Sequence, residues 1–287
     1  MEFGRVMTLA VVGLVCCLNR AAVADAEVCL RVITYNIHHG VGRDGALDLD
    51  RIARIVRETN PDIVCLQEID RNLTRTNRLD FPAEIAKRLG MAAVFECNYA
   101  FDGGEYGNAT FTRLEILSHE NIALPNPDPA AIEPRGCLKT VVRTQAGPVE
   151  VFNTHFGLKP NERRLQAEAV MKHVGNSRVI LAGDLNEGAM RPGVSLLLTR
   201  LKDALTQGGV PSMQDGRARI DHILVSGDFD VRSSRIVSTA ETAVASDHPP
   251  YVAELRITET GDGVENEGIY DTGDDRVTDA LRETINP

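Results

Sequence analysis

Short apolar runs rich in β-branched residues alternate along the chain with amphipathic stretches and polar loops. The runs at 29–37 (CLRVITYNI), 62–68 (DIVCLQE), 109–117, 139–143, 149–152, 179–182, 219–225 and 251–257 have the length and composition of strands. Between the first two, Leu49, Ile52, Ile55 and Val56 recur at helical spacing behind Asp48 or Asp50 as cap, and Asn60-Pro61 ends the pattern. Strand, helix and strand in that order predict a βαβ unit. Pro82 and Gly90 bracket a helix over roughly 82–89. Asn161 is placed to cap another over about 162–174, with Leu165, Val170 and Val174 inward and Gly175 after it, and 192–201 reads as helical. Three stretches read as loops: the arginine-bearing 71–80, the glycine-rich 99–108 (YAFDGGEYGN) and the four-proline 125–134. No internal repeat is visible.

The stretch 178–187 (RVILAGDLNE) organises the reading. Its apolar run delivers Gly183, Asp184, Leu185, Asn186 and Glu187 to a strand end, and glycine permits a tight turn there. Two residues apart in extended chain, Asp184 and Asn186 share a face. They offer a carboxylate and an amide to a cation or a phosphate-bound water, unless they form only an Asx turn that closes the strand. Other runs end the same way. Asn36, Glu68, Asn153 with His155, Asp221, and Asp247 with His248 all stand at strand termini, and six such termini are hard to obtain from a purely structural chain.

The 287 residues are 43% hydrophobic, with no tryptophan and 5% aromatics, so the core has to be largely aliphatic. The net charge of −10 argues against a protein that coats nucleic acid but leaves room for a nuclease with a local basic groove. Residues 1–24 read as a secretory leader: Arg5 supplies the positive end, the apolar run 7–18 is too short to span a bilayer, and Ala22-Val23-Ala24 is a cleavage signal. The expected product is secreted or periplasmic, with cleavage near Ala24 and a domain over 25–257. Of the four cysteines left, Cys65 and Cys29 lie in strands, and Cys97–Cys137 is the one pair to entertain as a disulfide. From Glu259 onward nine acids stand against two arginines, so 258–287 reads as an acidic, disordered tail.

The motifs TYNIHHG (34–40), CLQEID (65–70), YGNA (106–109), NTHFG (153–157), AGDLNE (182–187), IDHILVS (220–226) and SDHPP (246–250) together resemble the endonuclease/exonuclease/phosphatase superfamily, DNase I-like metal-dependent phosphoesterases. The resemblance spans about 29–257. It implies an α/β four-layer sandwich, two packed mixed β-sheets flanked by helices, with one site at the strand ends. It implies that Asn36 and Glu68 bind the metal, with Asp247 a second carboxylate nearby. Asp184 and Asn186 position the nucleophile or scissile phosphate beside that metal, and His155 hydrogen-bonds the phosphate. His248 matches the catalytic histidine and Asp221 the aspartate that orients it. Asn108 and Tyr99 match substrate-side positions.

The chemistry is coherent on its own terms. A divalent cation on Glu68 and Asn36 would neutralise an anionic phosphodiester, and oxygen-only ligands favour Mg²⁺ or Mn²⁺. His248 is suited to act as general base near neutral pH, with Asp221 fixing its tautomer, although Asp184 is an equal candidate for activating the water. His155, if protonated, adds positive charge where the transition state gains negative charge. His222, next to Asp221, points to the opposite face and suits a supporting role. The expected activity is an exported metal-dependent phosphodiesterase on a phosphoester substrate: a small molecule, a lipid head group or nucleic acid. No stable protein partner is evident and a monomer is expected. A nuclease or a sphingomyelinase-like phospholipase C is the alternative, and an inactive binding protein on the same fold the last.

Overall fold

The computed structural model describes residues 27–127, 133–205 and 219–258; the leader at 1–24, part of the proline-rich loop and the acidic tail lie outside them. In chain order the strands are β1 (Cys29–Asn36), β2 (Ile63–Arg71), β3 (Ala92–Phe101), β4 (Gly104–Thr112), β5 (Ile116–Ala123), β6 (Gly136–Thr144), β7 (Gly147–His155), β8 (Val179–Asp184), β9 (Lys202–Asp203), β10 (Asp221–Val225), β11 (Phe229–Ile236) and β12 (Tyr251–Ile257). The helices are α1 (Leu49–Glu58), α2 (Phe81–Leu89), α3 (Pro160–Met171), α4 (Pro192–Leu197) and α5 (Thr242–Ala245).

Two six-stranded sheets result, in the orders β11-β12-β1-β2-β4-β3 and β5-β6-β7-β8-β10-β9. Each has one parallel pair at its centre, β1/β2 and β7/β8, flanked on both sides by antiparallel strands. α1 makes the crossover in the first sheet and α3 in the second. The architecture is thus duplicated although the sequence shows no repeat.

Strand alternation sets the layers. Val32, Ile63 and Cys65 face inward against Val151, Ile180 and Ile223 of the other sheet. Ile33, Tyr35 and Phe111 face outward under Ile52 of α1 and Phe81 of α2. Phe152 and Leu181 pack under Ala167 and Val170 of α3 and Leu197 of α4. The outcome is the four-layer sandwich, held by a core in which five phenylalanines are among the largest fully buried side chains.

The sequence pattern and the structure differ in several places. The stretch 99–108 is a hairpin, not a loop: β3 and β4 turn through Asp102 (φ 49°) and Gly103 (φ 69°), the left-handed pair a two-residue hairpin requires. The apolar stretch 109–117 divides into the end of β4 and the start of β5. β2 runs on to Arg71, and Glu68 sits within it at a bulge. α3 begins at Pro160, with Asn161 inside it, and its buried face is the polar set Glu162, Arg163 and Gln166 with Ala167 and Val170. Gly183 serves close approach instead of a turn: it pairs with Thr154, whose carbonyl oxygen would lie 1.9 Å from an added Cβ. Cys97 and Cys137 are free thiols, one half-buried on β3 and one fully buried on β6, as are Cys29 and Cys65.

Toward one end of the sandwich the apolar layer between the sheets gives way to polar contacts. Gln67 Nε2 donates to Asn153 Oδ1 of the opposite sheet at 2.8 Å and to Thr34 Oγ1 at 3.1 Å. Asn153 Nδ2 donates to the carbonyls of Ala109 at 2.9 Å and Leu66 at 3.2 Å. All these groups are buried, so each removed partner strands others. Replacing Asn153 with leucine is therefore expected to lower stability by about 2–4 kcal/mol in urea unfolding; a change near zero would show that the bridge contributes nothing.

Candidate active site

Both parallel pairs end at this polar mouth, and β10 and the segment before β12 begin there. Asn36, Glu68, Tyr99, His155, Asp184, Asn186, Asp247 and His248 line one open cleft of about 500 Å³. Asp221 lies directly behind His248. Asn108 is not among the lining residues: it is buried, and its Nδ2 donates at 3.0 Å to the Gly136 carbonyl, which ties β4 to β6.

The bulge in β2 aims Glu68. The register passes from Leu66 opposite Ala109 to Ile69 opposite Gly107, so Gln67 and Glu68 together oppose Asn108. Gln67 is thereby left for the bridge between the sheets and Glu68 for the cleft. Glu68 adopts φ 60°, a conformation that costs a non-glycine residue about 1–3 kcal/mol. Asn36 Nδ2 donates to Glu68 Oε1 at 3.0 Å, and His39 Nδ1 lies 3.6 Å from Oε2. Burial opposes the charge on Glu68, but the His39 and Asn36 contacts outweigh it and hold the carboxyl below the usual range.

Asp184 is the hub. Its Oδ1 accepts from Asn186 N at 2.9 Å, so the Asx turn does form. Its Oδ2 accepts from Asn36 Nδ2 at 3.1 Å and lies 3.4 Å from His155 Nε2 and 3.7 Å from His248 Nε2. Asn186 completes the turn with φ 54° and donates from Nδ2 to the Phe156 carbonyl at 2.8 Å. Burial, and then the charge of Asp221, push the Asp184 carboxyl up.

His248 Nδ1 pairs with Asp221 Oδ2 at 2.8 Å. Burial disfavours the imidazolium, but Asp221, Asp184 and Asp247 overcome it and raise the pKa to about 10. Ser246 fixes this segment: its hydroxyl donates to the Asn36 carbonyl at 2.8 Å and accepts from His248 N at 3.2 Å.

His155 differs from the expectation of a protonated ring. Arg135 Nη1 donates to its Nδ1 at 3.0 Å, and since a guanidinium only donates, that nitrogen is bare and the proton sits on Nε2. Burial and the Arg135 charge hold the His155 pKa well below its ordinary value. The cation at this place is Arg135, itself buried and paired with Glu133 Oε1 at 2.6 Å. Sequence reading missed Arg135; its only local signal is a position just ahead of β6, a strand that starts at the site. His222 behaves as its position predicts: fully buried, it accepts from Arg219 Nη1 at Nδ1 (2.9 Å) and donates from Nε2 to the Glu187 carbonyl (2.9 Å), holding the loop after β8.

A profile of the Endonuclease/Exonuclease/phosphatase family matches residues 33–248. The chain belongs to the endonuclease/exonuclease/phosphatase family. Enzymes of this family hydrolyse phosphoester bonds and are generally dependent on a divalent metal. Among solved structures the chain is similar to the family protein from Beutenbergia cavernae DSM 12333 (TM-score 0.70, 26% identity, 80% of this chain and 72% of that one). It is also similar to one from Bacteroides vulgatus (TM-score 0.66, 22% identity, 80% and 99%). The human Nocturnin catalytic domain, solved with a bound sulfate anion, shares the fold (TM-score 0.64, 19% identity, 81% and 97%). So does ANGEL2, a 2′,3′-cyclic phosphatase solved with adenosine-2′,3′-vanadate (TM-score 0.61, 13% identity, 80% and 96%). No curated protein sequence matches the chain.

The residues present fit a hard divalent cation. Glu68 and Asp247 bring carboxylate oxygens to the cleft, and Asn36 beside them donates from Nδ2 to Glu68 and Asp184 at 3.0 and 3.1 Å while its Oδ1, the one atom of the amide that could ligate a cation, accepts from His38 N at 3.0 Å. Asp184, Asp221 and His248 also cluster, with ligand atoms within 4.8 Å of one another. Their own hydrogen bonding accounts for that cluster, because His248 Nδ1 is already taken by Asp221.

The His248–Asp221 pair has a pH signature. A histidine raised from 6.5 to about 10 stabilises the metal-free protein fully below pH 6.5, and the contribution is lost as pH rises through about 10. NMR titration of the metal-free protein is expected to show the His248 imidazolium persisting to about that pH, and Asp221→Asn to bring its midpoint down toward 6.5. A wild-type midpoint near 6.5 would contradict the pairing.

Proposed function

We propose that the protein is an exported, metal-dependent phosphodiesterase. The observation that carries the reading is one buried carboxylate, Asp184, shared by the amide of the Asn36/Glu68 side and the imidazole of the His248/Asp221 side. Asn36, Glu68 and Asp247 would hold Mg²⁺ or Mn²⁺, which when bound neutralises the non-bridging oxygens and the leaving oxygen of the ester. Every other step belongs to the chain. Asp184, with its raised pKa, accepts the proton of the attacking water. His248, held protonated by Asp221, donates to the phosphoryl oxygen that gains charge. His155 presents its Nε2–H to the same region as a neutral donor, with Arg135 behind it supplying the positive charge. Asn186 and the Phe156 carbonyl fix the turn that aims Asp184. The base is thus Asp184, and His248 is the proton-bearing partner. Export is supported by residues 1–24, read as a leader.

A nucleotide-type phosphodiester is favoured over a lipid head group by the stacked rings of Tyr99 and Phe101 in the cleft, with centroids 4.6 Å apart. ANGEL2, a 2′,3′-cyclic phosphatase that shares the fold, was solved with a nucleoside ligand, adenosine-2′,3′-vanadate.

The full chain, expressed with its leader and shown by intact mass to begin at Asp25, is expected to hydrolyse bis-p-nitrophenyl phosphate with Mg²⁺ or Mn²⁺ and to lose activity in EDTA. Asp184→Asn and His248→Ala should each lower kcat by about 10²–10⁴-fold. Turnover untouched by EDTA, or by both substitutions, would refute the mechanism. A mass that includes residues 1–24 would refute export.

A further inference from the structure

We propose that Arg75, with the stacked rings of Tyr99 and Phe101, forms a second subsite of the cleft, which takes a second phosphate carried by a nucleotide substrate beside the phosphate that is cut. The inference rests on the phosphodiesterase reading above and deepens it to a substrate class.

Arg75 lies in the loop after β2 and has no part in the proposed chemistry. Its guanidinium is fixed on one edge. Nε donates to Asp70 Oδ2 at 2.8 Å and Nη2 to Asp70 Oδ1 at 2.6 Å, a fork on a carboxylate that is fully buried. Thr76 Oγ1 donates to the same carboxylate at 3.1 Å. Its faces are fixed as well, with the Phe101 ring 5.5 Å and the Tyr106 ring 5.4 Å from Cζ. The third nitrogen, Nη1, makes no hydrogen bond among the described residues, and the side chain is 40% exposed in the cleft. The other arginine lining the cleft, Arg135, is buried and meets both Glu133 and His155 through Nη1. Arg75 is the exposed guanidinium of the two, with Nη1 facing the cleft, and a planar guanidinium with free N–H groups suits phosphate.

The plain alternative is that the Asp70–Arg75 pair only pins the loop. The loop is already pinned by other means. Thr74 N donates to Asp102 Oδ2 at 2.9 Å, Asn72 N to the Leu79 carbonyl at 2.9 Å, and Arg78 Nη1 to the carbonyls of Asn72 and Asp102 at 2.9 and 2.6 Å. Leu73 is fully buried beneath it. Burying the Asp70 carboxylate to hold an arginine is also a poor stabiliser for its own sake.

Position supports the assignment. Asp70 follows Glu68 by two residues on β2, and Arg75 and Glu68 line the same cleft. Tyr99 and Phe101 stack at 23° on β3, one strand beyond β4, and are half-buried, and with Phe101 against Arg75 they offer an aromatic platform beside the guanidinium for the base of the same nucleotide.

The test is calorimetric titration, with Mg²⁺ present, of thymidine 3′,5′-bisphosphate, thymidine 5′-monophosphate and thymidine 3′-monophosphate. The proteins are wild type, Arg75→Lys, and the double variant Asp70→Asn/Arg75→Met, which leaves no lone buried carboxylate. Wild type is expected to bind the bisphosphate about tenfold or more tighter than either monophosphate, as one charge-assisted contact would give. The double variant should bring that ratio to about one and Arg75→Lys to an intermediate value. A purely structural role would weaken all three ligands together and keep the ratio, which overturns the proposal. So would the absence of a preference in wild type, or a preference at least as strong for inositol 1,4-bisphosphate. No binding of any nucleotide by a sample that still hydrolyses bis-p-nitrophenyl phosphate would overturn the subsite alone and leave the phosphodiesterase reading standing.

Discussion

A carboxylate buried between two sheets has to be given donors from both of them. Asp184 is almost wholly buried, and its hydrogen bond from Asn36 crosses from β8 of one sheet to β1 of the other. Just beneath, Gln67 and Asn153 make a second crossing between β2 and β7. The apolar inner layer, Val32 and Ile63 against Val151 and Ile180, sets the spacing of the sheets. The polar crossings decide where along that layer the two parallel pairs come into register. Each half of the site is useless alone: Asn36 and Glu68 belong to one sheet, and His155, Asp184 and Asp221 to the other.

The charges divide in the same way. On the first sheet, Glu68 is kept ionised by His39 and Asn36 despite burial. On the second, Asp221 keeps a proton on His248, while Asp184 beside it is pushed toward holding a proton of its own. Burial and then Arg135 keep His155 neutral, and Arg135 fixes its tautomer by donating to Nδ1. Two histidines within reach of the same Asp184 oxygen are therefore in opposite protonation states, because one faces a carboxylate and the other a guanidinium. The proposed division of acid and base roles rests on that difference.

What was legible in the sequence is what is written locally. Strand ends bearing Asn36, His155, Asp184, Asp221 and His248 could be read because apolar runs deliver them, and the motif set identified family and sandwich together. The hairpin of β3 and β4 was hidden because its glycines read as a loop, although Asp102-Gly103 carried the turn signal. That misreading also obscured Asn108, which is buried on β4. The bulge at Glu68 leaves no trace in one sequence, since it is defined by the partner strand. Arg135 and Arg75 acquire their meaning from His155 and Asp70 through tertiary contact, and no spacing rule reaches that far. The duplication of the two sheets is likewise a property of topology, carried by unlike residues.

The most direct test of the two-sided site is a crystal of the protein soaked in Mn²⁺ and measured for anomalous scattering at the manganese edge. The account predicts an ion in ligand contact with Glu68 and Asn36, with the His248–Asp221 hydrogen bond kept intact beside it. An ion held instead by His248 and Asp221, or no ion in a crystal whose cleft is open to solvent, would contradict it.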